Sequence, residues 1–100
     1  MKYNVWMYDV WGDEEEMWVN NRYHITELEL NSRWVHECDD REMIRYLTDN
    51  VTMFGRAFDQ YDTFEECVEN IEVQENGSDP DFAIYFDIDG VPAFELERVR

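Results

Sequence analysis

Apolar and polar residues alternate with a period of two in three stretches of this chain, and apolar residues recur at helical spacing in two more. The clearest stretch runs from Phe82 to Val99. Phe82, Ile84, Phe86 and Ile88 alternate with Ala83, Tyr85 and Asp87, and after Asp89-Gly90 the residues Phe94 and Leu96 alternate with Glu95 and Glu97. This is the pattern of a β-hairpin with one apolar face. A two-residue Asp89-Gly90 loop would place Phe86 opposite Ala93 and Ile84 opposite Glu95, mixing the faces. The sequence therefore predicts a three-residue loop, Ile88-Asp89-Gly90, with Gly90 left-handed in a G1 bulge, pairing Ile84 with Phe94 and Phe82 with Leu96. Pro92 has no amide to give a ladder, so the last strand is expected at an edge, at least at its start.

Residues 2 to 11 read as a strand with Tyr3, Val5 and Met7 on one face and Asn4, Trp6, Tyr8 and Val10 on the other. Both faces are largely apolar, which points to a strand that is central or covered on both sides. Gly12 ends it. Asp13-Glu14-Glu15-Glu16 follows, a run of like charge that resists burial and reads as a solvated loop. Trp18 and Val19 lead to a turn at Asn20-Asn21, and a second strand is expected over residues 22 to 30. Residues 31 to 38 keep no clear period, with Trp34 and Val35 as their core contacts. Asp39-Asp40-Arg41-Glu42 is an Asp-x-x-Glu capping signal, and Met43, Ile44 and Leu47 form the buried stripe of a helix running to about Asp49. Residues 51 to 62 contain Met53, Phe54, Phe58 and Tyr61 in no regular pattern. Thr63-Phe64-Glu65-Glu66 is a second capping box, opening a short helix with Phe64, Cys67, Val68 and Ile71 at i, i+3, i+4 and i+7. Ile71 to Glu75 reads as strand, and Asn76-Gly77-Ser78-Asp79-Pro80 as a turn. The order β-β-α-α-β-β-β predicts an α+β domain: an antiparallel sheet of about five strands with two short helices packed on one face.

At 100 residues the chain is expected to form a single domain, and its four Trp, six Tyr and six Phe suffice to fill one core. Charge changes the picture most. Twenty-five acidic residues against eight basic ones give a net charge of −17, yet 44% of residues are apolar, so the chain is a folded polyanion. A single lysine, Lys2, and seven scattered arginines form no basic patch, which argues against direct nucleic-acid binding and against anionic membranes. A basic protein surface is the partner that such a field attracts. No secretory apolar segment follows Met1, because Lys2-Tyr3-Asn4 runs straight into the first strand, and with Cys38 and Cys67 the two cysteines a reduced, cytoplasmic setting is expected.

No motif carries catalysis or a cofactor. Among so many carboxylates a pair at acid/base separation is inevitable and selects nothing. His24 and His36 sit in no nucleophile arrangement and read as partly buried structural residues. Cys67 lies on an apolar stripe, and Cys38 between Glu37 and Asp39 is placed where the thiolate is disfavoured. His24, His36, Cys38 and Cys67 match no standard zinc spacing, and Asp87-Ile88-Asp89-Gly90 is only a fragment of a calcium loop. The four tryptophans read first as core; Trp11 and Trp18, flanking the acidic loop, are the two nominated as contacts for a partner.

Carboxylates three or four residues apart on a helix stand ~5–6 Å apart at Cβ, and alternate strand residues rise ~6.6–6.8 Å, which approximates the phosphate spacing of a nucleic-acid strand. Three acidic rows are available: Asp13, Glu14, Glu15 and Glu16 in the loop; Asp39, Asp40 and Glu42 at the first helix cap; and Glu65, Glu66, Glu69 and Glu72 on and after the second helix. In its size, charge, aromatic content and lack of a catalytic motif the chain resembles small acidic phage-encoded inhibitors of the nucleic-acid-mimic class, among them anti-CRISPR and anti-restriction proteins. The opening Val5-Trp6-Met7-Tyr8-Asp9-Val10-Trp11-Gly12 is similar to the start of small phage proteins. The resemblance implies a non-enzymatic inhibitor that occupies the basic nucleic-acid groove of a host defence or DNA-processing protein. The alternative is a protein–protein interaction module that uses exposed aromatics, with the charge serving only solubility.

Overall fold

The computed structural model describes residues 1–11, 18–57, 59, 61–77, 82–88 and 90–99, with the backbone alone at positions 9–11 and 18–21. Five strands form one antiparallel sheet in the order β2-β1-β5-β4-β3, where β1 is Lys2–Trp11, β2 Trp18–Glu29, β3 Ile71–Asn76, β4 Ala83–Ile88 and β5 Val91–Arg98. Four short helices lie between β2 and β3: α1 Ser32–Glu37, α2 Asp40–Asn50, α3 Thr52–Arg56 and α4 Phe64–Glu69. The α+β class and the five-stranded antiparallel sheet are as the alternation predicts, with two more helices than expected.

The hairpin corrects its predicted register. Ile88 pairs with Val91, so the loop has two residues, and Gly90 adopts φ +80. Asp89 lies outside the described residues. Further along, Phe86 faces Phe94 and Ile84 faces Leu96, because the register shifts between Phe86 and Asp87 and leaves Ala93 as the extra residue on β5. The apolar faces are matched by a bulge inside the strand rather than by a longer loop.

β5 as a whole is not an edge, although at its start Val91 and Pro92 pair with β4 alone, as the proline predicts. It is the middle strand, flanked by β1 and β4. Pro92 is accommodated because the β1–β5 ladder stops at Met7–Phe94, so no β1 residue pairs at the proline. β1 lies inside the sheet as its two apolar faces suggest. Beyond Met7 it continues with β2 alone, as a two-stranded ribbon reaching Trp11–Trp18. The turn expected at Asn20-Asn21 is instead strand: Asn21 pairs with Asp9 and Val19 with Val10, which makes Asn20 a bulge.

Helix starts follow their caps. Asp39 Oδ1 accepts the Glu42 amide at 2.8 Å and Thr63 Oγ1 accepts the Glu66 amide at 3.2 Å, each satisfying a first-turn donor. Asn31 caps α1 in the same way through the Trp34 amide, at 3.1 Å. Met43, Ile44 and Leu47 are buried as their spacing predicts, and Cys67 with them. In α4 the expected stripe ends early, since Ile71 already belongs to β3. The segment without a legible pattern supplies the centre of the core. Phe54 of α3 is fully buried, with its ring 5.4 Å from Phe86 and 4.9 Å from Phe94. α3 reaches that depth by close approach to α2: a Cβ on Gly55 would stand 3.0 Å from the Thr48 carbonyl oxygen. Tyr3, Val5, Ile84 and Leu96 complete the core from the sheet side. The helices thus cover one face, and the other carries Asn4, Trp6, Tyr8, Arg22, His24, Glu72, Tyr85, Asp87, Glu95 and Glu97.

Candidate partner-binding surface

Two of the three acidic rows meet. The α2 row is partly committed to structure, since Asp39 is a helix cap, while Asp40 and Glu42 are exposed in the first turn. Arg41 of that turn forms an ion pair with Glu65 at the start of α4, and Arg41 and Arg45 lie over the Phe64 ring at 5.1 and 3.7 Å. The hydrogen bond from Arg41 to Glu65 holds the guanidinium proton more tightly than usual. This tie joins the Asp39–Glu42 cap to Glu65, Glu66 and Glu69. Glu72 stands two residues into β3, where it is exposed. The loop row, Asp13 to Glu16, lies outside the described residues. Trp11 and Trp18 are cross-strand partners at the end of the β1–β2 ribbon, described by backbone alone.

The charge is unevenly distributed along the chain in a way that counts of residues conceal. Between Ala57 and Glu97 there is no lysine, arginine or histidine. This stretch builds α4, β3, β4 and most of β5, and it places Asp59, Asp62, Glu65, Glu66, Glu69, Glu72 and Glu75 on the exposed surface. Glu72 and Asp87 are direct cross-strand partners on β3 and β4. Burial, and then the Glu72 charge, push the Asp87 carboxyl above the ordinary carboxylate range. At the opposite side of the sheet ion pairs form: Lys2 with Glu27, the N-terminal amine with Glu29, and Arg22 shared by Glu95 and Glu97.

A second feature, invisible to the periodicity, lies on the helix-free face. Glu95 points away from the core yet is only 3% exposed. Tyr8 donates a hydrogen bond to its Oε1, and Arg22 Nη1 donates to the same oxygen at 3.1 Å. Arg22 also lies 4.0 Å over the Trp6 ring, whose Nε1 donates to Glu97 at 3.0 Å, and His24 meets that ring edge-on at 5.2 Å. Burial, and then the hydrogen bond and charge of Glu95, push the Tyr8 phenol well above its ordinary value. The cluster holds Trp6 through its hydrogen bond to Glu97, the Arg22 guanidinium over its ring and the edge of His24. The double-apolar character of β1 was its one sequence signal.

The histidines differ from expectation. Both are exposed: His24 hydrogen-bonds Asn4 at 2.8 Å and His36 lies 4.4 Å from the Phe82 ring. Burial raises the Cys38 thiol pKa, followed by the charges of Glu42 and Asp39, and burial likewise raises that of Cys67. Trp6 and Trp34 are half-buried; Trp34 packs against the core as expected, while Trp6 lies on the helix-free face. Among the described residues no three or more His, Cys, Asp or Glu side chains gather in a way that would hold a metal ion, and no helix is long and apolar enough to cross a membrane. An open cleft between Met7, Tyr8, Ala57, Pro92 and Phe94 is apolar and presents no reactive group beyond the Tyr8 phenol. Comparison with protein-family models, curated proteins and solved structures finds no match to this chain.

Proposed function

We propose that this protein is a non-enzymatic, phage-type inhibitor of the anti-CRISPR or anti-restriction kind, acting in the host cytoplasm. Its acidic surface occupies the basic nucleic-acid groove of a host defence or DNA-processing protein. One observation carries the reading: the base-free stretch from Ala57 to Glu97 gathers Glu65, Glu66, Glu69, Glu72 and Glu75 along one helix and the adjoining edge strand, with Arg41 the only cation paired to any of them among the described residues. A surface meant only to stay hydrated mixes both signs. Here the α4–β3 end of the sheet draws on Arg41 alone, while Lys2, Arg22 and the N-terminal amine each pair with a carboxylate at the other end.

The test is competition. Purified CRISPR effectors, restriction endonucleases and DNA-repair enzymes are titrated with this protein while their duplex DNA binding is followed by fluorescence anisotropy. At least one should release DNA, recover when excess DNA is added, and escape inhibition as salt rises from about 50 to about 200 mM. Changing Glu65, Glu66 and Glu69 together to Gln should weaken inhibition on the order of tenfold. Failure of every enzyme to release DNA would defeat the reading. Trp6, Tyr8 and Tyr85 remain half-exposed on the helix-free face, which favours a second reading as an interaction module. That reading predicts binding that persists in salt and is lost with Trp11→Ala or Trp18→Ala.

A further inference from the structure

The two outer strands of the sheet are protected to different degrees. β2 carries both register shifts of its ladder with β1, which leave Asn20 and Ile25 as extra residues on the outer strand. Such bulges disrupt the outward row of amides and carbonyls and deter a further strand. β3 has none. Its ladder with β4 runs unbroken from Ile71–Ile88 to Asn76–Ala83, and it contains no proline and no lysine. Among the described residues no strand lies along its other side, and Glu72, Gln74, Glu75 and Asn76 are exposed. Six residues of regular strand, about 20 Å long, thus present an outward row of backbone donors and acceptors. Within β3 itself the device against pairing is charge, and charge is selective. A second copy of β3 would set the same carboxylates against themselves, while a basic strand would meet them with opposite sign.

We propose that the outer edge of β3 is a strand-addition site that accepts an extended, lysine- or arginine-bearing segment of a partner protein as a sixth strand. Glu72 and Glu75 stand three residues apart and so project to opposite faces, reading basic side chains on both sides of the added strand. Main-chain hydrogen bonds supply the attachment and the carboxylates the choice of partner. The inference rests on the reading of the protein as a binder of basic partners and adds the mode of contact.

The experiment uses the full chain and an eight-residue peptide alternating lysine with valine and threonine. Three further probes accompany it: its glutamate counterpart, the same lysine peptide N-methylated at alternate residues, and a Glu72→Lys/Glu75→Lys variant of the protein. The lysine peptide should bind at low salt and protect alternate amides of β3 from hydrogen exchange. The glutamate and N-methylated peptides should bind on the order of tenfold more weakly, the first from charge repulsion and the second from lost hydrogen bonds. The double variant should prefer the glutamate peptide. Equal binding of the N-methylated peptide would overturn strand addition while leaving the acidic-surface function intact. Protection appearing on β2, pairing of β3 with a second copy, or no binding of the lysine peptide would each overturn it as well.

Discussion

Two carboxylates on the helix-free face have opposite circumstances, and each makes a prediction. Asp87 sits across from Glu72 with no cation between them, and its affinity for a proton is raised by burial and by that neighbour. A carboxyl whose folded pKa exceeds its unfolded one contributes stability that is present below the unfolded value, 3.8 for Asp, and lost as pH rises through the folded one. Asp87→Asn should therefore stabilise the protein at pH 7 by about 0.5 kcal/mol, the size of a cross-strand charge repulsion. The gain should shrink towards zero by about pH 3, where the native carboxyl is also neutral. Denaturant unfolding of both proteins at the two pH values measures it, and a gain independent of pH would refute the assignment. Glu95 is the reverse case. Its removal in Glu95→Ala strips a charged partner from Tyr8 and from Arg22, and should cost about 1–2 kcal/mol. The loss falls short of that for a fully buried ion pair because the Arg22 side chain is 40% exposed and water can replace its partner. The Tyr8 phenol should titrate lower in this variant yet stay above its ordinary 10.0, since burial, the largest cause of its shift, remains. Ultraviolet difference titration against Tyr8→Phe reads this directly.

At the scale of elements, caps and long alternations were legible and short or corrected ones were not. Asp39 and Thr63 announce their helices because a capping side chain acts through the next three residues, all local in sequence. α3 was illegible because five residues give less than two turns, too few for a stripe, although it carries Phe54 to the centre of the core. The hairpin failed for a different reason. Strict alternation excludes a two-residue loop because it sets Ile84 against Glu95, yet a bulge at Ala93 lets that shorter loop set Ile84 against Leu96 and Phe86 against Phe94. Bulges at Asn20, Ile25 and Ala93 all lie outside what a strict period of two can represent. The position of β5 in the middle of the sheet is a long-range fact, set by pairing with β1, which no pattern within the hairpin encodes. Of the candidate surface, the acidic residues were legible one by one. Their junction through Arg41, Glu65 and Phe64 was not, because it depends on how α2 packs beside α4. The turn itself offers a direct check. Gly90 has φ +80 and open space where a Cβ would stand, so Gly90→Ala meets no clash and should cost about 1 kcal/mol from backbone conformation alone. A drop in Tm of several degrees is expected for a domain of this size, and an unchanged Tm would mean that the turn relaxes to a conformation with negative φ.

For the molecule as a whole, a net charge of −17 on 100 residues is a stability cost through self-repulsion. Ion pairs near β1 and β2 offset part of it locally, but among the described residues α4 and β3 have only the exposed Arg41–Glu65 pair, which is worth little. Repulsion within this end of the sheet should therefore fall as salt screens it, with the screening length shortening from about 30 Å at 0.01 M to about 10 Å at 0.1 M. The Tm of the free protein is expected to climb by several degrees over that range, and more gently in the variant carrying Gln at positions 65, 66 and 69, which should start from a higher Tm in low salt. A Tm that falls with added salt would mean that local ion pairs outweigh the repulsion, and would remove the argument that the charge is retained against the interest of folding. If it is retained for a basic partner, binding must relieve the same repulsion. Ligand linkage then requires that a lysine-bearing partner raise Tm most where the free protein is least stable, at low salt, and that this increment shrink in the Gln variant. Thermal melts across a salt series, with and without the partner, measure both slopes in one experiment, and parallel slopes would separate the charge from the function assigned to it.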